Sequence, residues 1–392
     1  MIFLLTTGRW DAYPVSADYP APYNDPSAWG IVPAWGYATV EETTIPELPK
    51  GTPLYGFWPT ASTPTDLKLK RGSPEGHWIE SSDYRQQLMP LYNRYTVTPT
   101  SNAISDLTAP NPLSDSARDE LDRMAWTVLF IGGVAGFVLS EYVFSSNPAQ
   151  PPIHPLGNQA GLQWTLSDGN LSSAVVVNLA ASTKTARVFS YYLSRKSGDS
   201  APLGLLQVTS AVSRIEEADR NLSTSVPSKV VGYGEIDSKE SCEWLVSCNA
   251  SKIVILDFGG RGNALNDTLS LIKKNAELQS CKVVIVKVGN EQKVYSTEEL
   301  IAGRAAMEDL GKVQFNTSGV QDTILETVGP EAYFATRDEQ WAKWLHDRNL
   351  SVPGMQIVFG RGVSGVGGVE GGWDKLCHGQ VRAEEGLVYK IQ

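Results

Sequence analysis

The stretch VVVNLAASTKTA, residues 175–186, decides the fold of this chain. Its apolar run Val175–Leu179 predicts a strand that is covered on both faces. Small residues follow as a tight loop, and we expect a helix to begin at Lys184. In a doubly wound α/β domain such a strand–loop–helix holds the phosphates of a dinucleotide, because the first amides of a helix lack partners. The glycines that are typical of this loop are absent.

Strands and helices alternate after this stretch, which predicts a parallel sheet with helices on both faces. The first helix is expected at Lys184–Arg195, and its buried face at Ala186, Phe189, Tyr192 and Leu193. Further strands are predicted at Leu203–Val208, Lys229–Tyr233, Ile253–Phe258, Lys282–Val288 and Met355–Phe359. Further helices are predicted at Arg214–Asn221, Cys242–Val246, Leu265–Asn275 and 331–348. The expected fold class is therefore α/β with a doubly wound parallel sheet.

The region before residue 76 is rich in Pro, Trp, Tyr and Gly and predicts a β-rich domain. Its strands are expected at Trp35–Val40, Pro53–Phe57 and Thr65–Leu69. Ser114 is suited to cap a helix that continues into the charge-free run Met124–Ser140. That run is shorter than the roughly 20 residues of a membrane helix and contains glycines, so a buried helix is favoured over a membrane span.

Charge and composition exclude several classes of function. The chain has 392 residues and a net charge of −10, which suits two domains and argues against nonspecific binding to nucleic acid. Its four cysteines form no CxxC pair, and its four histidines are scattered, so we expect no metal site and no disulfide framework. The apolar start is too short for a secretory signal, and we expect a cytoplasmic protein without a membrane partner.

Hydroxyl groups and one cation stand where the loop glycines would be. Ala181, Ser182, Thr183, Lys184 and Thr185 are the predicted phosphate-binding residues, since hydroxyls can donate to phosphate oxygens and Lys184 adds a charge. The alternative is an ordinary strand–helix connection with a Ser/Thr cap. Both interpretations remain open from the sequence.

The end of the second strand favours one cofactor over another. An acid near this point binds the ribose 2′-hydroxyl in NAD-dependent proteins, yet none precedes Glu216 here. Thr209 and Ser210 followed by Arg214 suit a 2′-phosphate, because arginine binds phosphate in a fork. If a dinucleotide binds, NADPH is therefore expected rather than NADH, with Gly259 after the later strand as a further contact. The alternative is that Arg214 only solvates the start of a helix.

These segments resemble the medium-chain dehydrogenase/reductase superfamily. The resemblance rests on VVVNLAASTKTARVFSYYL (175–193), LGLLQVTSAVSR (203–214) and IVILDFGG (253–260). Closer still is the similarity to an uncharacterised domain-of-unknown-function family, through Ser182–Ala186 and through WGIVPAWGYATVEE (29–42), LYGFWPTAS (54–62) and LYNRYTV (91–97). The resemblance implies a GroES-like domain and a Rossmann domain with the active site between them.

The resemblance also implies a division of the chain and a branch of the superfamily. We expect a GroES-like β-rich domain at 1–145, incomplete at its N-terminus, and a Rossmann-like domain at 146–350. Residues 351–392 are expected to supply the last sheet strand and a tail that returns to the first domain. The zinc ligands of the superfamily's alcohol dehydrogenases are missing, which points to the zinc-free quinone oxidoreductase and enoyl reductase branch.

In that branch the protein offers a proton donor beside the cofactor. Tyr55, Tyr92 and Tyr95 are the available donors, and Tyr92–Asn93–Arg94 is the preferred cluster, with Arg94 placed to lower a phenol pKa. Aromatic core packing is the competing interpretation for each tyrosine. His154 is a candidate acid or base, or only a hinge residue. The glycine-rich run Gly360–Gly368 has no obvious helix after it and is interpreted as a mobile loop rather than a phosphate cradle.

Three hypotheses follow from these residues. The first is an NADPH-dependent, zinc-free reductase of an unsaturated carbonyl or quinone-like small molecule, with a role in secondary metabolism. The second is a cofactor-independent lyase, isomerase or cyclase on the same fold, which the absent glycines favour. The third is a non-catalytic binding protein. The expected partner is a small-molecule substrate, and a homodimer is allowed for.

Overall fold

The structure is a computed structural model that describes residues 12–98, 114–158, 163–291, 293, 295–296, 298–299 and 312–391. The chain divides into two compact units. The first is formed by 1–132, 330–334 and 356–392, and the second by 133–329 and 335–355.

The strands of the described chain fall into three sheets. In chain order they are β1 (Pro33–Thr39), β2 (Pro53–Pro59), β3 (Leu69–Arg71), β4 (His77–Glu80), β5 (Arg94–Val97), β6 (Ala174–Leu179), β7 (Gly204–Val208), β8 (Ser228–Val231), β9 (Lys252–Asp257), β10 (Lys282–Lys287), β11 (Val313–Gln314), β12 (Gln356–Arg361) and β13 (Glu385–Lys390).

The helices separate most of these strands. They are α1 (Asp115–Phe130), α2 (Val134–Val138), α3 (Leu166–Gly169), α4 (Lys184–Leu193), α5 (Val212–Leu222), α6 (Lys239–Ser247), α7 (Ala264–Lys274), α8 (Ala276–Gln279), α9 (Thr317–Thr327), α10 (Pro330–His346), α11 (Arg348–Ser351) and α12 (Val369–Cys377).

The first unit contains an antiparallel five-stranded sheet in the order β1-β2-β5-β4-β3. Tyr95 on β5 is fully buried, and its ring leaves room only for a glycine at position 56 of the neighbouring strand β2. The β-rich front is thus confirmed, although the strand expected at Thr65–Leu69 lies instead at Leu69–Arg71. That short strand is fixed by its pairing with Trp78–Glu80 rather than by a pattern of its own.

Strands β12 and β13 form a separate parallel pair in the same unit. The tail strand therefore pairs with β12 and not with the five-stranded sheet. Helix α12 follows the glycine-rich run, where no helix was expected. Gly368, Glu370 and Gly371 each donate a backbone amide within this loop–helix segment, and Gly365 donates to the Glu370 carboxylate. The run is therefore an internally bonded turn between a strand and a helix.

The apolar run Met124–Ser140 is helical but interrupted. Ser114 caps α1 by accepting the amide of Ala117 at 3.2 Å, as predicted. Ile131, Gly132 and Gly133 then take left-handed backbone angles, which ends α1 before α2 begins. By length and apolar composition Asp115–Val143 passes as one candidate membrane span, but 56% of its apolar window is buried inside the protein. A core helix that is mostly buried passes the same test of length and composition, so the run is only weak evidence of a membrane span.

The second unit contains a parallel six-stranded sheet in the order β11-β10-β9-β6-β7-β8. If β6 is counted as strand 1 and the sheet is read from β8 to β11, this order is 3-2-1-4-5-6, the Rossmann arrangement. Val175, Val177 and Leu179 of β6 are fully buried at its centre, as expected for a strand that is covered on both faces. The predicted fold class, a β-rich domain plus a doubly wound parallel sheet, is thereby confirmed.

Candidate functional site

The carboxyl ends of three neighbouring strands meet at one edge of the parallel sheet. Leu179, the last residue of β6, pairs in register with Val208 of β7 and with Asp257 of β9. Strand order reverses between β6 and β9, and a sheet of this kind binds its ligands in the crevice at that point. The predicted phosphate-binding loop follows β6 directly and so lies at this edge.

The loop contains no glycine, and it turns at Ala180, whose backbone is in the left-handed conformation. Ala180 has a φ of 63°, a conformation that costs an L-residue roughly 1–2 kcal/mol. The amide of Ala181 donates to the Val208 carbonyl at 2.9 Å, and Ala181 is fully buried. Ala181 was predicted to bind the phosphate, but its amide is engaged by the neighbouring strand.

Thr183 and Lys184 stand at the start of α4 with unused polar groups. Thr183 precedes the helix, but its hydroxyl accepts no amide of the first turn. That Oγ1 atom is buried and has no hydrogen-bond partner among the residues that the structure describes. Burial lowers the pKa of the Lys184 ammonium, which has no anionic partner in the same described regions.

An orphaned hydroxyl and an uncompensated cation at a helix N-terminus fit one chemical group. The first amides of α4 lack intrahelical acceptors, and the helix dipole favours negative charge at this end. A phosphate would accept from the hydroxyl and from the amides and would neutralise the ammonium. Ser182 and Thr185, both half-buried, flank the same position. The four residues from Ser182 to Thr185 are thus suited to hold a phosphate.

The loop after β7 brings the second predicted group to the same edge. Thr209 is buried, and its hydroxyl accepts the amide of Ala211 at 3.0 Å, so it shapes the turn. Ser210 is exposed. Arg214 lies in the first turn of α5 and is half-buried. The first acid after this strand, Glu216, is exposed on the same helix.

The loop after β9 is organised by an acid that the sequence interpretation passed over. Asp257 accepts the amides of Gly259 at 3.1 Å and Gly260 at 2.8 Å through one carboxylate oxygen. Gly259 has a φ of +111°, and a Cβ there would lie 2.4 Å from the carbonyl oxygen of Asn290. Position 259 therefore requires glycine for backbone geometry, and its amide is already bonded. An acid that ends a buried strand was the signal that could have identified this turn.

The tyrosine candidates belong to an aromatic cluster of the first unit. Tyr92 is buried, with its ring 4.6 Å from that of Phe57. Tyr55 stacks on Trp35 at 5.7 Å, and Tyr92 approaches the same indole at 5.9 Å. The structure thus brings Tyr55 and Tyr92 to one tryptophan, in the packing that the competing interpretation expected.

Arg94 takes part in a different set of contacts of that unit. Its guanidinium donates to the Ser73 carbonyl at 2.9 Å and lies 3.0 Å from Nδ1 of His77. It also lies over the Phe334 ring, 4.8 Å from the ring centroid. The Arg94 guanidinium lies between the His77 imidazole and the Phe334 ring, and it is suited to orient the His77 side chain.

Arg85 carries a buried network that the sequence interpretation missed. Its guanidinium donates to the Asn93 side chain, the Tyr95 hydroxyl and the Tyr92 carbonyl at 3.0, 3.0 and 2.7 Å. The Tyr13 and Tyr95 hydroxyls lie 2.9 Å apart. Burial raises the pKa of both phenols, even though Arg85 acts in the opposite sense. Neither phenol is therefore a ready proton source at neutral pH.

His154 lies in the second unit. Its Nδ1 accepts the amide of Leu156 at 3.1 Å, which places the proton of the neutral ring on Nε2. Burial lowers the pKa of His154. The next residue, Pro155, accepts the amide of Asn316, the capping residue of α9. His154 thus lies in a segment that is tied to the helix after β11.

Three or more metal-binding side chains do not come together anywhere in the described ranges. The predicted site residues are divided between the two units. Ser182–Thr185, Thr209–Arg214 and Gly259 lie at one sheet edge of the second unit, His154 lies elsewhere in that unit, and Tyr55, Tyr92 and Arg94 lie in the first unit.

The chain was compared with protein families, curated proteins and solved structures, and it is similar to one family and to several solved structures. A family model described as "Protein of unknown function (DUF2855)" matches residues 5–382. No curated protein matches the chain.

Solved structures with a distant similarity are enoyl thioester reductases. The mitochondrial 2-enoyl thioester reductase Etr1p/Etr2p heterodimer from Candida tropicalis is 12% identical, over 85% of this chain and 78% of that one, with a TM-score of 0.39. The Etr1p/NADP/crotonyl-CoA complex is 10% identical over 83% and 71%, with a TM-score of 0.39. A mutant form of the Candida tropicalis enzyme is 11% identical over 88% and 80%, with a TM-score of 0.37.

Proposed function

The chain belongs to the family described as protein of unknown function (DUF2855), and we propose that it is an NADPH-dependent reductase of a small molecule. The observation that carries the proposal is the start of α4, where the Thr183 hydroxyl and the Lys184 ammonium have no partner among the described residues. Both stand at the carboxyl end of the first strand of a Rossmann-ordered sheet.

The predicted residues would bind two different parts of the cofactor, the pyrophosphate and the 2′-phosphate. Ser182, Thr183, Lys184 and Thr185 would hold the pyrophosphate, and Arg214 would meet the 2′-phosphate. The missing acid at the end of β7 supports NADPH over NADH, because no carboxylate is placed there for a ribose 2′-hydroxyl. When bound, the nicotinamide would supply a hydride to an activated double bond.

The substrate and its proton source belong to the same proposal. An unsaturated carbonyl or quinone-like compound accepts hydride at carbon and then needs one proton. Tyr92, Tyr55 and His154 are the proposed donors, with Arg94 as a positioning residue. Zinc independence is proposed because no cysteine precedes Cys242. A cytoplasmic location, a homodimer and a role in secondary metabolism stay predictions.

One observation favours the second function, a cofactor-independent lyase, isomerase or cyclase. The Ala181 amide is bonded to Val208, and Ala180 carries a side chain where a glycine would let a phosphate approach the backbone. A cleft with this loop could orient a metabolite without a nucleotide. Substrate turnover by nucleotide-free protein would support this function.

Titration of NADPH into the purified chain tests the first function. We expect saturable binding below about 1 mM, the upper range of ordinary KM values. Lys184→Met and Arg214→Met should each weaken binding by about tenfold or more, since each removes a charge-assisted contact worth about 1.5–3 kcal/mol. Lys239→Met is the matched control for the first change, because Lys239 is also the first residue of a helix and is exposed.

Arg220→Met on α5 is the control for Arg214→Met, since it changes the same residue type at an exposed position of the same helix. Wild-type protein that binds no NADPH, or a Lys184→Met/Arg214→Met double variant that binds as tightly as wild type, overturns the proposed function.

A further inference from the structure

A buried arginine ties helix α4 to three other elements of the second unit. Arg187 is fully buried, one turn after Lys184. Its Nε donates to the Ser351 carbonyl at 3.0 Å, and the Ser351 hydroxyl donates back to the Arg187 carbonyl at 3.4 Å. Its Nη1 donates to Oε1 of Gln207 on β7 at 3.0 Å. The start of α4 is therefore bonded to α11 and to the neighbouring strand.

The chain of hydrogen bonds continues from β7 to α5. Nε2 of Gln207 donates to the Asp219 carboxylate at 2.7 Å. The same carboxylate oxygen accepts from the Ser228 hydroxyl on β8 at 2.6 Å. Gln207 is fully buried, so the Arg187 cation and the Asp219 anion are connected through one internal amide. We call Arg187, Gln207 and Asp219 the buried relay.

The relay is costly for an element that only stabilises the fold. Burial lowers the pKa of Arg187 to about 10, against the opposing effect of Asp219. Its Nη2 is buried without a hydrogen-bond partner among the described residues. A buried charge pair is often no more stabilising than apolar side chains of the same volume, and its best-attested use is to fix one arrangement of the elements.

The two helices that the relay joins are the two that carry the proposed phosphate contacts. Lys184 is the first residue of α4, and Arg187 lies three positions later. Arg214 lies in the first turn of α5, and Asp219 follows on the same helix. A fixed Arg187–Gln207–Asp219 connection therefore fixes how far apart the Lys184 and Arg214 side chains begin.

We propose that the buried relay is a specificity device, which sets the spacing of Lys184 and Arg214 to match a dinucleotide with a 2′-phosphate. The inference rests on the proposed function. Arg187, Gln207 and Asp219 are positioning residues that touch no ligand. A shift of one helix against the other leaves Lys184 and Arg214 in place on their own helices but changes the distance between them. One ligand can then no longer meet both well, because a misplacement of about 1 Å is enough to weaken a contact strongly.

The test compares NADPH with NADH, which differ only in the 2′-phosphate. Arg187→Met/Asp219→Asn removes the buried cation and the half-buried anion together, so that neither charge remains without the other. We expect the ratio of NADPH to NADH affinity to fall by about tenfold, whereas NADH binding changes little. Arg195→Met is the matched control, because it removes a surface ion pair with Asp347 just after α4. That control should keep the wild-type ratio.

The outcomes separate the inference from the proposed function. Wild-type protein that binds neither nucleotide overturns the proposed function itself. A folded double variant that keeps the wild-type affinity ratio overturns only the relay. If the double variant does not fold, Arg187→Lys decides. This variant keeps the charge but lacks the fork, and its ratio of NADPH to NADH affinity should fall below that of wild type. An unchanged ratio in Arg187→Lys then overturns the relay.

Discussion

Asn178 and Gln207 are cross-strand partners in β6 and β7, and each bonds helix α4 through a buried side-chain amide. Nδ2 of Asn178 donates to the Ser190 hydroxyl at 3.1 Å, and Oε1 of Gln207 accepts from Arg187 at 3.0 Å. Arg187 and Ser190 are three residues apart on the helix and so share a face. A pair of internal amides therefore holds α4 against the sheet at two levels.

The effects of substitutions at Asn178 and Ser190 on the free energy of unfolding should be strongly coupled. We expect Ser190→Ala to lower the free energy of unfolding by about 1–3 kcal/mol, because it leaves the buried Asn178 amide without an acceptor. Asn178→Leu should have a smaller effect, because the freed hydroxyl can bond a carbonyl one turn earlier in α4. The double variant should resemble Asn178→Leu alone. Urea unfolding of the four proteins measures the coupling, and additive losses would contradict it.

The loop before α4 should tolerate a glycine at position 180. Ala180→Gly relieves a left-handed alanine but gives the unfolded chain more freedom, so the two effects nearly cancel and stability should change by less than about 1 kcal/mol. Ala181→Gly is the matched comparison, because Ala181 is fully buried and has no left-handed backbone. It should destabilise the protein clearly more than Ala180→Gly. Thermal unfolding of both variants decides the order.

The sequence is informative where one local pattern decides the structure. The continuous apolar run of β6 requires cover on both faces, and the alternation that follows predicts the parallel sheet. It is uninformative where distant contacts decide. Strand β11 has only two residues, and its pairing with Val286–Lys287 makes it a strand. Helix α12 contains Gly371 and Gly372, which are poor helix formers, and the Tyr389 side chain packs where a side chain at 372 would be.

The same distinction applies to the site. Lys184 and Arg214 were predicted because each stands at a helix start after a predicted strand. Arg187 was not, since a charged residue between apolar ones is normally read as the solvent face of a helix. Here α4 is buried all round: a Cβ at Gly136 of α2 would lie 2.7 Å from the Phe189 amide. Only the contacts of the folded chain reveal that cover.

Acid should weaken the fold through Asp168. Burial opposes its ionisation, but hydrogen bonds from Lys282 and Thr165 prevail and lower its pKa to about 2. A pKa that is depressed in the folded state gives stability above the unfolded value of 3.8, and that stability is lost as the pH falls towards 2. The Asp168 side chain is 20% exposed but that of Lys282 is 54% exposed, so solvent screening reduces the contribution to on the order of 1 kcal/mol.

Lys282→Met should therefore reduce stability at neutral pH, and the difference from wild type should disappear near pH 2. Lys239→Met is the comparison, because its pair with Glu243 is largely exposed and should contribute less than about 0.5 kcal/mol. Denaturant unfolding across the acid range measures both. A Lys282→Met deficit that persists in acid would argue against this assignment.

Gly259 should not accept a side chain. Gly259→Ala forces a φ of +111° on alanine and places Cβ 2.4 Å from the Asn290 carbonyl oxygen, so we expect a loss on the order of 3 kcal/mol. Gly234→Ala, where no atom lies within 4 Å of the added carbon, should be neutral or slightly stabilising. Calorimetric unfolding of the two variants provides the measurement. Equal stabilities would show that the loop after β9 can move away.

The affinity for a phosphate ligand should fall at a lower pH than the titration of an exposed lysine would give. Burial lowers the pKa of Lys184 from 10.5 because the folded protein solvates the ammonium poorly. Only the charged form attracts phosphate, so NADPH binding should weaken as the pH rises through this lowered pKa, earlier than for an exposed lysine. Lys184→Arg keeps its charge throughout that range, because the guanidinium pKa exceeds about 12. The variant should therefore bind with little change over the same interval.

If wild type and Lys184→Arg lose affinity together, another group titrates and Lys184 does not contact the phosphate. If only wild type loses affinity, the loop without glycines has replaced close backbone approach with a charge.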